Sequence, residues 1–150
     1  MINKMVDEKS TVRYNDVNKM INEVNFMKYN TGLSENEWYI MQILWENSSA
    51  TLRELCDSLK DSKGWTKHAI SSFLKRMQEK GAITADESGK VKRYLPLWDK
   101  EETILEETHS IMDRVYQGNL LLMVSNAVKE QKLTKEEIDE LRNMLDCMDQ

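Results

Sequence analysis

The apolar positions of the chain first recur with helical spacing in two consecutive segments that begin after Leu33. Ser34 with Glu37, and Thr51 with Glu54, show the Ser/Thr-x-x-Glu spacing of a capping box. In that motif the hydroxyl and the carboxylate satisfy backbone N–H groups that the start of a helix leaves unpaired. The pattern therefore predicts two helices, one beginning at each of these motifs.

A third amphipathic segment covers residues 66–80 and is followed by Gly81. Its apolar positions recur at intervals of three and four residues, which is the period of one helix face. Glycine directly after a helix suits the left-handed backbone conformation that commonly ends it. The pattern predicts a third helix with a buried stripe made of Ile70, Phe73, Leu74 and Met77.

The helical period is lost after Gly81. Residues 82–87 and 92–97 are two short segments joined by the turn-forming pair Ser88 and Gly89. Pro96 cannot donate a backbone hydrogen bond, so we expect it at a sheet edge or at the end of its strand. Three helices followed by a hairpin are the element order of a winged helix-turn-helix, in which the hairpin is the wing.

After Trp98 the apolar positions have helical spacing again, in three further segments. Short helices with a single apolar stripe are marginally stable alone, and one small wing cannot cover three of them. We therefore expect a second copy of the chain to cover these stripes. The residues expected at this interface are Ile104, Ile111, Val115, Leu120, Leu121, Val124, Val128, Ile138, Leu141 and Leu145.

These elements predict a mainly α protein with a small β-hairpin, namely an N-terminal winged helix-turn-helix followed by an α-helical dimerisation region. We expect an N-terminal extension at residues 1–32, the winged domain at 33–98 and the dimerisation domain at 99–150. The extension is polar and is expected to be flexible or to form one short helix. Its amphipathic positions are Val17, Met20, Ile21, Val24 and Met27.

The charge of the chain is divided unevenly between these regions. The 150 residues carry a net charge of −5, but residues 60–93 hold 9 basic against 4 acidic side chains. Residues 99–150 hold 6 basic against 13 acidic side chains. A basic winged region joined to an acidic helical region is typical of a DNA-binding protein with a separate dimerisation half.

The third predicted helix carries side chains that we expect to contact double-stranded DNA. Lys67, Ser71 and Lys75 recur at i, i+4 and i+8, away from the apolar stripe. Cations bind phosphates and guanine edges, and serine hydroxyls bind either, so this face suits the major groove. The alternatives are an ordinary solvated helix face and, on the wing, lysines that protect an exposed strand edge. The expected DNA-binding residues are Lys67, His68, Ser71, Ser72, Lys75 and Arg76 on the helix, with Lys90, Lys92 and Arg93 on the wing.

Other functional classes find no support in the residues. Cys56 and Cys147 are far apart in the sequence, and neither His68 nor His109 has a histidine four positions away, so no metal-ligand spacing is present. There is no Gly-rich phosphate loop and no catalytic constellation. No apolar run approaches the roughly 20 residues that a membrane span needs. We expect a cytoplasmic protein that is not an enzyme, has no metal or other cofactor and does not insert into a membrane.

Four segments of the chain carry a combined pattern of residues. They are residues 33–45 (LSENEWYIMQILW), Trp65 followed by Ile70, Leu74, Arg76 and the pair Lys80 and Gly81, residues 89–96 (GKVKRYLP), and residues 133–145. This pattern resembles the penicillinase-repressor family of winged helix-turn-helix transcriptional regulators. The resemblance covers residues 33–146 without a large gap and leaves residues 1–26 outside.

The resemblance implies a homodimer, held together by its C-terminal helices, that represses transcription at a palindromic operator. It also implies control of beta-lactam resistance genes. Induction would follow when a membrane-bound beta-lactam sensor protease triggers cleavage in the middle C-terminal helix, at Asn126 and Ala127 in this chain. The family usually has Phe at the position of Ala127, and this difference concerns the cleavage position. It usually has Pro at the position of Lys67 and Thr at that of Ala69, and these two differences concern operator preference. Cys147 alone cannot form the paired CxC motifs of the family's copper-responsive branch.

Two other functions remain open from the sequence alone. Residues 33–98 as a whole have a net charge of only +1 (10 basic against 9 acidic side chains). This balance allows a winged-helix protein–protein adaptor that does not bind DNA. The second alternative is a thiol-responsive regulator that acts through Cys56 or Cys147, which requires the Cys147 residues of two chains to meet.

Overall fold

The computed structural model describes residues 31–130 and 133–150 of the chain. Within this part the element order confirms the predicted class, mainly α with a small β-hairpin and a winged helix-turn-helix before the C-terminal helices. The elements are α1 Glu35–Asn47, β1 Ala50–Thr51, α2 Leu52–Lys63, α3 Lys67–Glu79, β2 Ile83–Asp86, β3 Arg93–Pro96, α4 Lys100–Arg114, α5 Leu120–Glu130 and α6 Lys135–Met148. The amphipathic stretch predicted at residues 17–27 lies outside the described residues.

Both predicted capping boxes at the start of the winged region form. At α1, the backbone N–H of Glu37 donates to the Ser34 hydroxyl at 3.3 Å, and the backbone N–H of Ser34 donates to the Glu37 carboxylate at 3.0 Å. At α2, the two corresponding hydrogen bonds between Thr51 and Glu54 are 2.7 and 3.1 Å long. Each pair satisfies backbone groups that would otherwise lack partners, so both helix starts are set by local sequence.

Helix α3 begins and ends close to the predicted positions. The Thr66 hydroxyl accepts a hydrogen bond from the backbone N–H of Ala69 at 3.1 Å and caps the first turn. At the other end Gly81 has a φ of 75°, the left-handed conformation expected for a glycine after a helix. Ile70, Leu74 and Met77 of the predicted stripe are buried, and Phe73 is half-buried against the edge of the core.

The wing belongs to a three-stranded antiparallel sheet in the order β1-β3-β2. In β3, Pro96 lies opposite Ile83 of β2, and Tyr94 lies opposite Ala50 of β1. Pro96 is the last residue of its strand, which agrees with the expectation for a residue that cannot donate to the ladder. Strand β1 was not predicted, because two residues are too few for an alternating pattern to be detected.

One hydrophobic core holds α1, α2, α3 and the sheet together. Burial of each large aliphatic side chain contributes roughly 1.5–3 kcal/mol, and closely packed side chains fix the orientation of the helices that carry them. The core therefore fixes which face of α3 remains accessible. Its members are Ile40, Met41, Leu44, Ala50, Leu55, Leu59, Ile70, Leu74, Met77, Ala82, Ile83 and Tyr94.

The described part of the chain divides into two compact units, which separate between Thr108 and His109. The first unit extends past Trp98 because the first turns of α4 contact the winged body. The indole N–H of Trp45 donates to the Trp98 carbonyl at 2.9 Å, and the hydroxyl of Thr31 donates to the Glu107 carboxylate at 3.0 Å. These two hydrogen bonds attach the residue Trp98, which precedes α4, and the middle of α4 to the region around α1.

The second unit contains the end of α4 together with α5 and α6. No side chain is buried in the parts of this unit that the structure describes, residues 109–130 and 133–150. Large apolar side chains are instead open to solvent, including Leu121 at 79% and Met148 at 81% exposure. Short helices with uncovered apolar faces are not expected to be stable alone in water.

Candidate nucleic-acid interface

The predicted DNA-binding side chains of helix α3 lie outside its buried stripe. The first turn of α3 contains no acidic residue, so the partial positive charge of the helix N-terminus adds to that of the lysines. Among the predicted side chains Lys67, His68, Lys75 and Arg76 are exposed, and Ser71 and Ser72 are half-buried.

The predicted side chains on α3 do not all point in one direction. With 3.6 residues per turn, His68, Ser72 and Lys75 lie opposite the buried stripe, whereas Lys67 lies at its flank. Lys67 lines a groove between α2 and the wing. The predicted series Lys67, Ser71 and Lys75 is therefore spread around the helix, and the outermost line contains His68, Ser72 and Lys75.

An aromatic cluster supports the start of α3. The ring centroid of Trp65 lies 5.1 Å from that of Phe73 and 6.3 Å from that of Tyr39. The Lys63 ammonium lies 3.5 Å from the centre of the Tyr39 ring, and the Arg76 guanidinium lies 5.3 Å from the centre of the Phe73 ring. Arg76 is thus positioned by a neutral ring, which leaves its positive charge available to a bound anion.

Arg93 of the wing is engaged within the chain. Its guanidinium donates to the Ser49 hydroxyl at 3.0 Å and to the Glu54 carboxylate at 3.1 Å. The hydrogen bond from the backbone N–H of Thr51, together with the charge of Arg93, holds the pKa of Glu54 below its ordinary value. Arg93 therefore attaches β3 to the start of α2, and its contact with DNA stays a prediction.

The other two wing cations have different surroundings. Lys90 is exposed near the tip of the hairpin. The Lys92 ammonium lies 3.3 Å from the Glu87 carboxylate across the hairpin and 5.4 Å from the centre of the Tyr94 ring. The hydrogen bond with Glu87 raises the pKa of Lys92 above its ordinary value. Both lysines carry positive charge on the surface of the wing.

A groove of about 610 Å³ separates α2 and the start of α3 from the wing. Arg53 and Lys60 of α2 line it together with Lys67 and Lys92, and Asp57 is its single acidic residue. Arg53 and Lys60 were not among the predicted site residues. Their i, i+7 spacing places them on one face of α2, but the sequence does not indicate that the wing lies opposite that face.

The predicted interface residues of the C-terminal helices are partly or fully accessible in the single chain. Ile104, Val115, Leu120, Leu121, Val128 and Leu145 are exposed, and Ile111, Val124, Ile138 and Leu141 are half-buried. Asn126 and Ala127, the predicted cleavage position, are both exposed within α5. The uncovered apolar side chains and the predicted cleavage position thus lie in the same C-terminal region.

Residues 31–130 and 133–150 contain neither a cluster suited to a metal ion nor a helix suited to a membrane span. No group of three or more His, Cys, Asp or Glu side chains there could hold a metal ion. The same part of the chain contains no helix that is long and apolar enough to cross a membrane. Cys56 is half-buried and Cys147 is exposed, and both are free thiols.

The chain is similar in sequence to a known protein family and to several of its members. The family described as penicillinase repressor matches residues 33–147. A penicillinase repressor of Bacillus licheniformis is 32% identical over 120 residues, which cover 80% of this chain and 94% of that protein. The methicillin resistance regulatory protein MecI of Staphylococcus aureus (strain N315) is 27% identical over 113 residues, or 75% of this chain and 92% of that protein. The solved DNA-binding domain of the repressor BlaI is 28% identical, with a TM-score of 0.43 over 47% of this chain and 85% of that one.

Proposed function

Because the chain belongs to the penicillinase repressor family, a family of transcriptional repressors and not of enzymes, we propose that it is a transcriptional repressor that binds operator DNA as a homodimer. The observation that carries this proposal is the face of α3. Its basic and hydroxyl side chains are accessible, while its opposite stripe is locked in the core of the winged region. A helix held in this way can enter the major groove as a rigid body.

The roles of the side chains follow from their positions on α3. His68, Ser72 and Lys75 occupy the outermost line and contact base edges, where lysine binds guanine and serine binds several bases. Arg76 and the wing residue Lys90 contact phosphates, which position the helix without reading the sequence. Lys67, Ser71, Lys92 and Arg93 complete the set of DNA-binding residues that we propose.

A second copy of the chain covers the apolar side chains of the C-terminal helices. Leu120, Leu121 and Leu145 are more than half exposed in the single chain, and their burial against an identical surface stabilises both copies. Two winged domains related by a two-fold axis recognise two half-sites related by the same axis. The operator is therefore palindromic.

The release of the operator is proposed to follow proteolysis. Cleavage between Asn126 and Ala127 would separate part of α5 and all of α6 from the winged domain, and so weaken the dimer on which tight binding depends. The protease is a membrane-bound beta-lactam sensor, and the repressed genes are of the beta-lactam resistance type. The repressor itself acts in the cytoplasm, where its operator lies.

Sequencing of the DNA that the protein occupies in cells tests this function. We expect enriched sites with two-fold symmetry, located upstream of the chain's own gene or of a neighbouring one. The Lys75→Ala variant, expressed at the same level, should lose these sites. Recovery of DNA without any shared sequence would contradict the proposal.

A further inference from the structure

We propose that the groove between α2 and the wing is a channel for one sugar-phosphate strand of the bound DNA, with Arg53 and Lys60 as phosphate-binding residues outside α3. This inference rests on the proposed function, because it assigns further contacts to the same DNA. It adds two residues of α2 to the proposed DNA-binding set. Neither residue belongs to the set predicted from the sequence.

The charges of the groove favour an anionic occupant. Arg53, Lys60, Lys67 and Lys92 line it, against Asp57 alone. Within the described part of the chain, Arg53, Lys60 and Lys67 form no ion pair, and Lys92 has only a surface pair with Glu87. Like charges gathered on two facing walls repel one another, and an anion between them removes that repulsion.

The spacing of the cations favours a chain of anions over a single small one. Arg53 and Lys60 are seven residues apart on α2, which is about 10.5 Å along the helix axis. One phosphate contacts both side chains only if they bend towards each other, whereas two anions can bind them in extended conformations. Successive phosphates of one DNA strand can do so, and Lys67 at the start of α3 continues the series towards the major groove.

The apolar side chains that line the groove suit the sugars of such a strand. Leu52, Cys56 and Trp65 line it from the helical side, and Val91 and Tyr94 from the wing. These apolar groups can contact the CH groups of deoxyribose, while the cations contact the phosphates. Arg93, held by Ser49 and Glu54, keeps the strand that carries this wall attached to α2.

The salt dependence of DNA binding by the full-length protein tests the two proposed contacts. We would measure the Kd for a natural operator by fluorescence anisotropy at several salt concentrations. Removal of one phosphate contact lowers the slope of log Kd against log salt by about 0.9, so Arg53→Ala and Lys60→Ala should each lower it by about that amount. Arg53→Lys and Lys60→Arg keep the charge and should keep the slope, and Lys100→Ala on α4 serves as a matched control.

Alkylation of Cys56 provides an independent test. In a Cys147→Ser background Cys56 is the remaining thiol, and it lines the proposed channel. With operator at ten times its Kd, the reaction with N-ethylmaleimide should slow roughly tenfold, because only the unbound fraction reacts. Anisotropy on the same sample measures the bound fraction.

The possible results separate the channel from the function as a whole. If the operator binds with sequence preference but neither the slope nor the rate of alkylation changes, the channel is wrong and the repressor function stands. If the protein binds no DNA with sequence preference, both proposals are overturned. Smaller slopes together with protection of Cys56 support both.

Discussion

The Arg93 guanidinium donates a hydrogen bond to the Glu54 carboxylate at 3.1 Å. This bond joins the start of β3, the central strand of the sheet, to the first turn of α2. The same carboxylate accepts the backbone N–H of Thr51 at 2.7 Å. One side chain therefore caps a helix and holds the wing. Two elements that we propose to contact the same DNA are connected through it.

The Glu54 contact predicts a pH dependence of stability. The pKa of Glu54 lies below its ordinary value of 4.5, so this carboxyl contributes stability that is complete above the unfolded-state pKa and is lost as the pH falls through the folded-state pKa. The urea midpoint of the wild type should therefore fall on acidification below about pH 5. Glu54→Gln should show a smaller fall over the same range.

Glu46→Gln is the matched control for this measurement, because it removes an exposed carboxylate at the end of α1 that has no hydrogen-bond partner among the described residues. Its urea midpoint should follow that of the wild type. Equal pH profiles for the wild type and Glu54→Gln would show that the contact does not contribute.

The buried carboxylate of Glu37 predicts a larger effect on stability. Glu37 is fully buried, and its Oε2 atom accepts hydrogen bonds from the Lys80 ammonium and the backbone N–H of Ser34. Lys80→Met would leave a buried charge without its cation, which should lower the free energy of unfolding by about 2–3 kcal/mol. This is less than for a fully buried pair, because the Lys80 side chain is 32% exposed.

Urea denaturation measures this change. The double variant Glu37→Gln with Lys80→Met should recover part of the loss, since it removes the unpaired charge. A Lys80→Met protein as stable as the wild type would contradict the assigned role of the pair.

The exposed apolar side chains of the C-terminal helices predict dimerisation. Leu121→Asp places a charge at a side chain that is 79% exposed in the single chain, so it should weaken the dimer without unfolding the winged region. Sedimentation equilibrium should show at least a tenfold rise in the dimer dissociation constant, about 1.4 kcal/mol. Asn143→Asp on α6 adds the same charge at another exposed position and is the control.

This prediction has a clear contrary result. A wild-type protein that sediments as a monomer at micromolar concentration would show that a second copy does not cover these helices. A dimer unaffected by Leu121→Asp would place the interface elsewhere.

Lys75 lies on the outermost line of α3, so its removal predicts weaker DNA binding. Lys75→Ala takes away a cation that we expect to bind a base edge or a phosphate, which should weaken operator binding by about 1–3 kcal/mol. If Lys75 binds a phosphate, the effect will be larger at low salt. Gel-shift titration measures it, with Gln78→Ala on the same helix as the control. Unchanged affinity in Lys75→Ala would remove this residue from the interface.

The parts of the fold that depend on nearby residues were predictable from the sequence. Ser34 with Glu37 and Thr51 with Glu54 act over three residues, and Gly81 ends α3 through its own backbone conformation. The pairing of Arg93 with Ser49 and Glu54 was not predictable, because it joins residues that are 44 and 39 positions apart. The groove was missed for the same reason, since Arg53 and Lys60 face the wing only after the sheet has formed.

The central claim is that two copies of the chain read a two-fold symmetric DNA site through α3. Its most direct test is the affinity of the full-length protein for a symmetric site recovered from cells, compared with a scrambled site of equal length at physiological salt. The account predicts binding at least about 10³-fold tighter to the symmetric site, with two chains per DNA. Equal affinity for the two sites would contradict it.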